Sequence, residues 1–145
     1  MHWINEVLGV LAALLAATAL GALWSIAGLG GAAPAAWMAP AVAVTLAAVL
    51  RFNRHPPGAL RSLWCVLLLA LTAAHANYLM SAGFIAGQMG LDLVDAIRMI
   101  GADMAFAVSR ARLGGTDFLA YGIALMLALL LGYRQPGEIA AAPRR

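Results

Sequence analysis

The sequence predicts an all-α integral membrane protein: a four-helix bundle with an additional amphipathic interfacial helix between spans three and four. Three observations lead there. Residues 7–50 carry no charged side chain, a run too long for one crossing and sufficient for two, since one crossing needs about 20 apolar residues. Hydrophobic residues make up 64% of the 145-residue chain and charged ones only 10%, against about 25% in a soluble domain. Between the last two apolar windows lies a charged stretch with a 3.6-residue apolar period.

The first window divides at Gly28-Leu29-Gly30-Gly31-Ala32-Ala33-Pro34, because Gly and Pro at this density interrupt helices. Windows 62–91 and 118–133 are also free of charge. The spans are therefore expected at about 4–27, 36–51, 62–85 and 117–134, in one membrane domain covering 1–134. Residues 1–6 lack Lys and Arg and contain Glu6, and the apolar run exceeds the core of a signal peptide. That predicts a retained first span rather than a cleaved leader. The tail, 135–145, is expected to be disordered.

Aromatic residues, which favour membrane–water interfaces, bracket each span: Trp3 and Trp24, Trp37 and Phe52, Trp64 and Phe84, Phe118 and Tyr133. All basic residues are arginines. Arg51, Arg54, Arg61, Arg134, Arg144 and Arg145 lie on one side. Arg98, Arg110 and Arg112 lie on the other, diluted by Asp92, Asp95, Asp103 and Asp117. The positive-inside rule then places both termini in the cytoplasm. The Ala- and Arg-rich composition points to a bacterial inner membrane.

Residues 91–112 form the expected amphipathic helix. Leu93, Ile97, Ile100, Met104, Ala107 and Val108 share one face, and Asp92, Asp95, Arg98, Asp103, Ser109 and Arg110 share the other. Asp92 is the expected N-cap, Gly114-Gly115 the stop, and Thr116 or Asp117 the cap of the fourth span. A fifth crossing here would bury charges at about 2.5–3.5 kcal/mol each.

Small residues recur every fourth position in the first span (Gly9, Ala13, Ala17, Gly21, Ser25) and in the fourth (Ala120, Ala124, Ala128, Gly132). Such faces let membrane helices approach closely, so the first is the candidate helix-packing face.

The candidate intramembrane polar site is His75, Asn77 and Tyr78, with Thr72 and Ser81 nearby. His75 lies about 16 Å beyond Trp64 along the helix, near the bilayer midplane, where an ionisable group is a functional hypothesis. It suits a proton relay, a quinone headgroup contact or a metal ligand. The alternative is a neutral imidazole bonded to Thr18, Ser25 or Thr45. Asp95, Arg98 and Asp103 are the candidate partner-docking residues, or simply a solvated face. Arg51, Arg54 and Arg61 serve as lipid-headgroup contacts or as topology determinants.

No catalytic, metal or cofactor motif is expected: Cys65 is the lone cysteine, and phosphate loops and nucleophile elbows are missing. The expected partners are the lipid bilayer and either another protein or a second copy, with no nucleic acid. The residues point first to a non-enzymatic accessory, anchoring or assembly subunit of a membrane complex. The alternative is a small-molecule, lipid or quinone site around His75.

Overall fold

A computed structural model describes residues 2–29, 35–53 and 55–134, with side chains from Val7 onward. Residues 30–34, the expected disordered tail 135–145, Arg54, and the side chains of Trp3 and Glu6 lie outside what it describes. Among the described residues the chain is all-helical, with six helices and no strand. They are α1 (His2–Leu29), α2 (Met38–Phe52), α3 (Ala59–Met89), α4 (Leu93–Met99), α5 (Ala102–Arg112) and α6 (Gly115–Tyr133). Helices α1, α3 and α6 are long and apolar enough to cross a membrane. Helix α2 is apolar but has only 15 residues, about 23 Å of helix.

Helix α3 is the hub: every other helix packs against it. Around it, α1 neighbours α2, and α2 neighbours α6. Thr72 reaches the Ala17 carbonyl, Met80 lies against Gly28, and Leu29 lies against Gly83. Helices α1 and α3 therefore run parallel, a pairing made close by small side chains. A Cβ on Gly21 would stand 2.7 Å from His75 Cδ2 and 3.2 Å from the Thr72 carbonyl. Gly9, Ala13, Ala17, Gly21 and Ser25 are all buried. On α6, Ala124, Ala128 and Gly132 are buried and Ala120 partly so. A Cβ on Gly132 would come within 2.5 Å of Ser62 Cα. The core between these faces is filled mainly by alanine and by Trp24, Leu46, Leu50, Leu68 and Met80.

The start of α3 is tied to the end of α6 by Arg61, which is only 3% exposed. Its Nε donates to the Gly132 carbonyl at 2.8 Å, and its Nη2 to the carbonyls of Arg134 at 2.7 Å and Leu131 at 3.3 Å. Its Nη1 donates to the His55 carbonyl at 3.4 Å. The final carbonyls of a helix lack intrahelical partners, and a cation there also meets the negative end of the helix dipole. Ser62 adds a bond to the Leu129 carbonyl at 3.1 Å. Arg61 is thus an interior clamp and is too enclosed to grip a lipid headgroup.

Several expectations are corrected. Trp24 is fully buried and tilted against Tyr121, with ring centroids 5.9 Å apart, so it is a core residue and not an interfacial marker. Trp37 and Phe52, by contrast, are strongly exposed. Helix α3 runs well past the expected 62–85, ending where Gly90 adopts φ 67 and Leu91 N–H returns to the Ala86 carbonyl at 3.0 Å. The left-handed conformation is one that glycine reaches without a Cβ penalty. Asp92 does cap α4, through Val94 N–H. The α6 cap is Gly114, whose N–H donates to Asp117 Oδ2 at 2.7 Å, and not Thr116 or Asp117 itself.

The largest correction concerns residues 91–112. They form two helices, α4 and α5, separated by extended backbone at Ile100 and Gly101. Glycine resists helical ordering, and Tyr78 holds the break from outside the segment. Its hydroxyl lies 3.0 Å from the Ile97 carbonyl and 3.2 Å from that of Ile100. The break alters the buried face. Ala96, Ile100 and Ala105 are buried, whereas Leu93, Met104 and Ala107 of the expected apolar face are exposed.

Replacing Arg61 with methionine leaves two α6 carbonyls and that of its C-cap, Arg134, without their donor. We expect a loss of about 3 kcal/mol, since hydrogen bonds to charged groups contribute about 1.5–3 kcal/mol each. Arg61→Lys should recover only part of that, because an ammonium lacks the planar fork. Apparent Tm in mild detergent measures both; equal melting of wild type and the methionine variant contradicts the clamp.

Candidate functional site

The expected polar site on α3 divides into two faces. Thr72 and His75 turn toward α1. Thr72 Oγ1 donates to the Leu68 carbonyl at 2.8 Å and to the Ala17 carbonyl at 3.3 Å. His75 is half-buried beside Gly21. The hydroxyls offered to it as partners turn back on their own helices: Thr18 to Leu15, Ser25 to Ala22 and Thr45 to Ala41. Asn77, Tyr78 and Ser81 face the other way, toward α4, α5 and α6. The structure therefore does not bring His75 together with Asn77 and Tyr78.

On that second face lies a cleft of about 720 Å³ between α3, α5 and α6. A volume of this order suits a small-molecule or lipid site, which is typically apolar with a few placed polar groups. Its apolar walls come from Ala73, Ala74, Ala102, Phe106, Leu113 and Phe118. Its polar groups are Asn77, Tyr78, Ser109, Arg110 and Tyr121. No Asp, Glu, His, Cys or Lys lines it.

Each polar group is positioned by an identifiable bond. The Asn77 amide nitrogen donates to the Ala73 carbonyl at 2.8 Å and to the Tyr121 hydroxyl at 2.9 Å. The carbonyl partner fixes which end of the amide is nitrogen. Both Asn77 protons are thus spent, and Tyr121 serves as acceptor. Ser81 donates to the Ala105 carbonyl at 3.1 Å and lies 2.9 Å from the Ser109 hydroxyl, which also sits 3.5 Å from the Asn77 carbonyl. With Tyr78 on Ile97 and Ile100, these bonds strap α4 and α5 onto α3. Arg112 lies over the Phe84 ring, 4.9 Å from its centroid, a cation–π contact that anchors the end of α5.

Asp95, Arg98 and Asp103 are exposed. The break at Ile100–Gly101 puts the first two on α4 and the third on α5. A second, more open groove between α3 and α6 is lined by Ala59, Ser62, Leu63, Val66, Leu129 and Tyr133, but its serine is already bonded to Leu129.

No family model, curated protein or solved structure matches the chain.

Sequence reasoning missed Tyr121 and Arg110. Tyr121 carried a signal: it lies inside the fourth apolar window, away from the bracketing Phe118 and Tyr133, where a hydroxyl requires a partner. Arg110 carried none beyond its charge.

A double-mutant cycle of Asn77→Ala and Tyr121→Phe tests the pairing. Interhelical hydrogen bonds in membrane proteins average about 0.6 kcal/mol, with a maximum of about 1.7. Coupling in that range is expected from reversible unfolding in detergent or bicelles, and strict additivity would rule the pair out.

Proposed function

We propose that this chain is a multi-pass protein of the bacterial inner membrane that holds an amphiphile in the α3–α5–α6 cleft, in a non-enzymatic accessory role. On this reading all four of α1, α2, α3 and α6 cross the bilayer and both termini are cytoplasmic, with α4 and α5 at the outer surface. The distribution of arginine supports that orientation, and the exposed Trp37 and Phe52 at the ends of α2 support a short fourth crossing in a locally thinned bilayer. The cleft carries the functional reading. It is apolar along most of its wall and carries a few polar groups, which suits a molecule with a tail and a headgroup. Quinones and lipids both belong to that class. His75, on the opposite side of α3, takes no part.

A second reading, a subunit of a larger membrane complex, is favoured by His75 itself. It is half-buried in a long apolar helix, and among the described residues it makes no hydrogen bond. A helix from another chain packed at that level would supply a partner.

Native mass spectrometry of the protein extracted in mild detergent distinguishes these readings. Wild type is expected to retain about one amphiphile per chain, and Ala74→Phe, which fills the cleft from a wall position, should abolish retention without unfolding. A stoichiometric second protein with no retained amphiphile would replace the cleft reading with the subunit reading. For orientation, Asp103→Cys in a Cys65→Ala background should react with an impermeant thiol reagent applied outside intact spheroplasts. Reaction solely from the cytoplasmic side would invert the topology.

A further inference from the structure

We infer that the α3–α5–α6 cleft takes an anionic amphiphile, its phosphate or carboxylate headgroup held by Arg110 and Tyr121. This rests on the cleft being an amphiphile site and adds the sign and chemistry of the ligand. Most of the polar groups that line the cleft are already paired. Tyr78 is spent on the Ile97 and Ile100 carbonyls. Ser109 is spent on Ser81 and the Asn77 carbonyl. Both amide protons of Asn77 are spent on Ala73 and Tyr121. Because Tyr121 accepts from Asn77, its own hydroxyl proton remains, and it has no acceptor among the described residues. The guanidinium of Arg110 likewise makes no hydrogen bond or ion pair with any described residue, although it lines the cleft.

The unspent groups are therefore a full positive charge with a planar array of N–H donors and one phenolic O–H. A phosphate or carboxylate accepts from both, and the planar guanidinium recognises either anion bidentately. Asp117, whose charge reaches Tyr121, is not among the lining residues and accepts from the Gly114 N–H. The Asn77 side-chain oxygen, which accepts from no described residue, suits a hydroxyl carried on the same headgroup, as in a glycerol ester. The alanine and phenylalanine walls account for the tail, and they separate a lipid from the same anion free in water. A quinone ring, which is neutral, offers the exposed Arg110 carbonyl acceptors but no counter-charge.

The experiment is titration of the detergent-solubilised full chain with dioleoyl phosphatidylglycerol, dioleoylglycerol, dioleoyl phosphatidylcholine and water-soluble glycerol phosphate, read by native mass spectrometry. Phosphatidylglycerol is expected to bind at one per chain, at least about tenfold more tightly than dioleoylglycerol or phosphatidylcholine, with glycerol phosphate not retained. Arg110→Gln and Tyr121→Phe should each reduce that preference by about tenfold, the factor that corresponds to one charge-assisted bond. Arg98→Gln, outside the cleft, controls for unspecific loss of charge and should change nothing. Equal retention of charged and neutral lipids, or an unchanged preference in Arg110→Gln, overturns the inference while leaving the amphiphile site standing. Retention of none of the lipids overturns the amphiphile reading itself. Retention of glycerol phosphate as tightly as the lipid would show a soluble-anion site and overturn the assignment to an amphiphile.

Discussion

A single buried cation organises one end of this molecule. Arg61 places donors on three carbonyls at the end of α6 and on one in the turn between α2 and α3. An arginine this enclosed is tolerable because its charge meets the negative end of the α6 dipole and its N–H groups replace water for carbonyls that have no helical partner. Gly132 is the steric half of the same contact, since any side chain there would strike the Ser62 backbone. Together they fix which turn of α6 faces the first turn of α3, and so the register of the whole pair.

That register reaches the candidate site. Between the Ser62–Leu129 bond and the Asn77–Tyr121 bond, α3 advances by about 22 Å but α6 by only about 12 Å. Side chains cover the difference. Cβ vectors lean toward the N-terminus of each helix, so in this antiparallel pair Tyr121 and Asn77 lean toward one another. Beyond this pair α5 forms the third wall of the cleft, strapped down by hydroxyls of Tyr78, Ser81 and Ser109. These polar residues of α3 and α5 hold the cleft in shape, while Tyr121 and Arg110 keep donors unspent along its wall.

The extent to which this was legible in the sequence follows the range of each interaction. The small-residue face of α1 could be read directly, because recurrence every fourth residue is a property of one helix, and all five of its members are buried. The polar residues of α3 could be picked out but not sorted. Thr72 and His75 turn to α1, while Asn77, Tyr78 and Ser81 turn to the cleft, and spacing alone cannot assign a neighbour to each face. The charged stretch after α3 misled for a related reason. Its 3.6-residue period implied one helix, but Gly101 permits a break that Tyr78, from another helix, stabilises.

By itself the sequence determined that the chain is helical, where its apolar helices lie to within a few residues, and which of their faces carry small side chains. Those properties arise from hydrophobicity, from helical periodicity and from Gly and Pro as local interruptions. Tertiary structure decided which helix each face meets, that Arg61 is a core residue rather than a loop charge, and that Asn77 of α3 and Tyr121 of α6 pair across one cleft. The bonds responsible join residues 44 and 71 positions apart, and no local pattern encodes which distant carbonyl or hydroxyl will stand within 3 Å of a given donor.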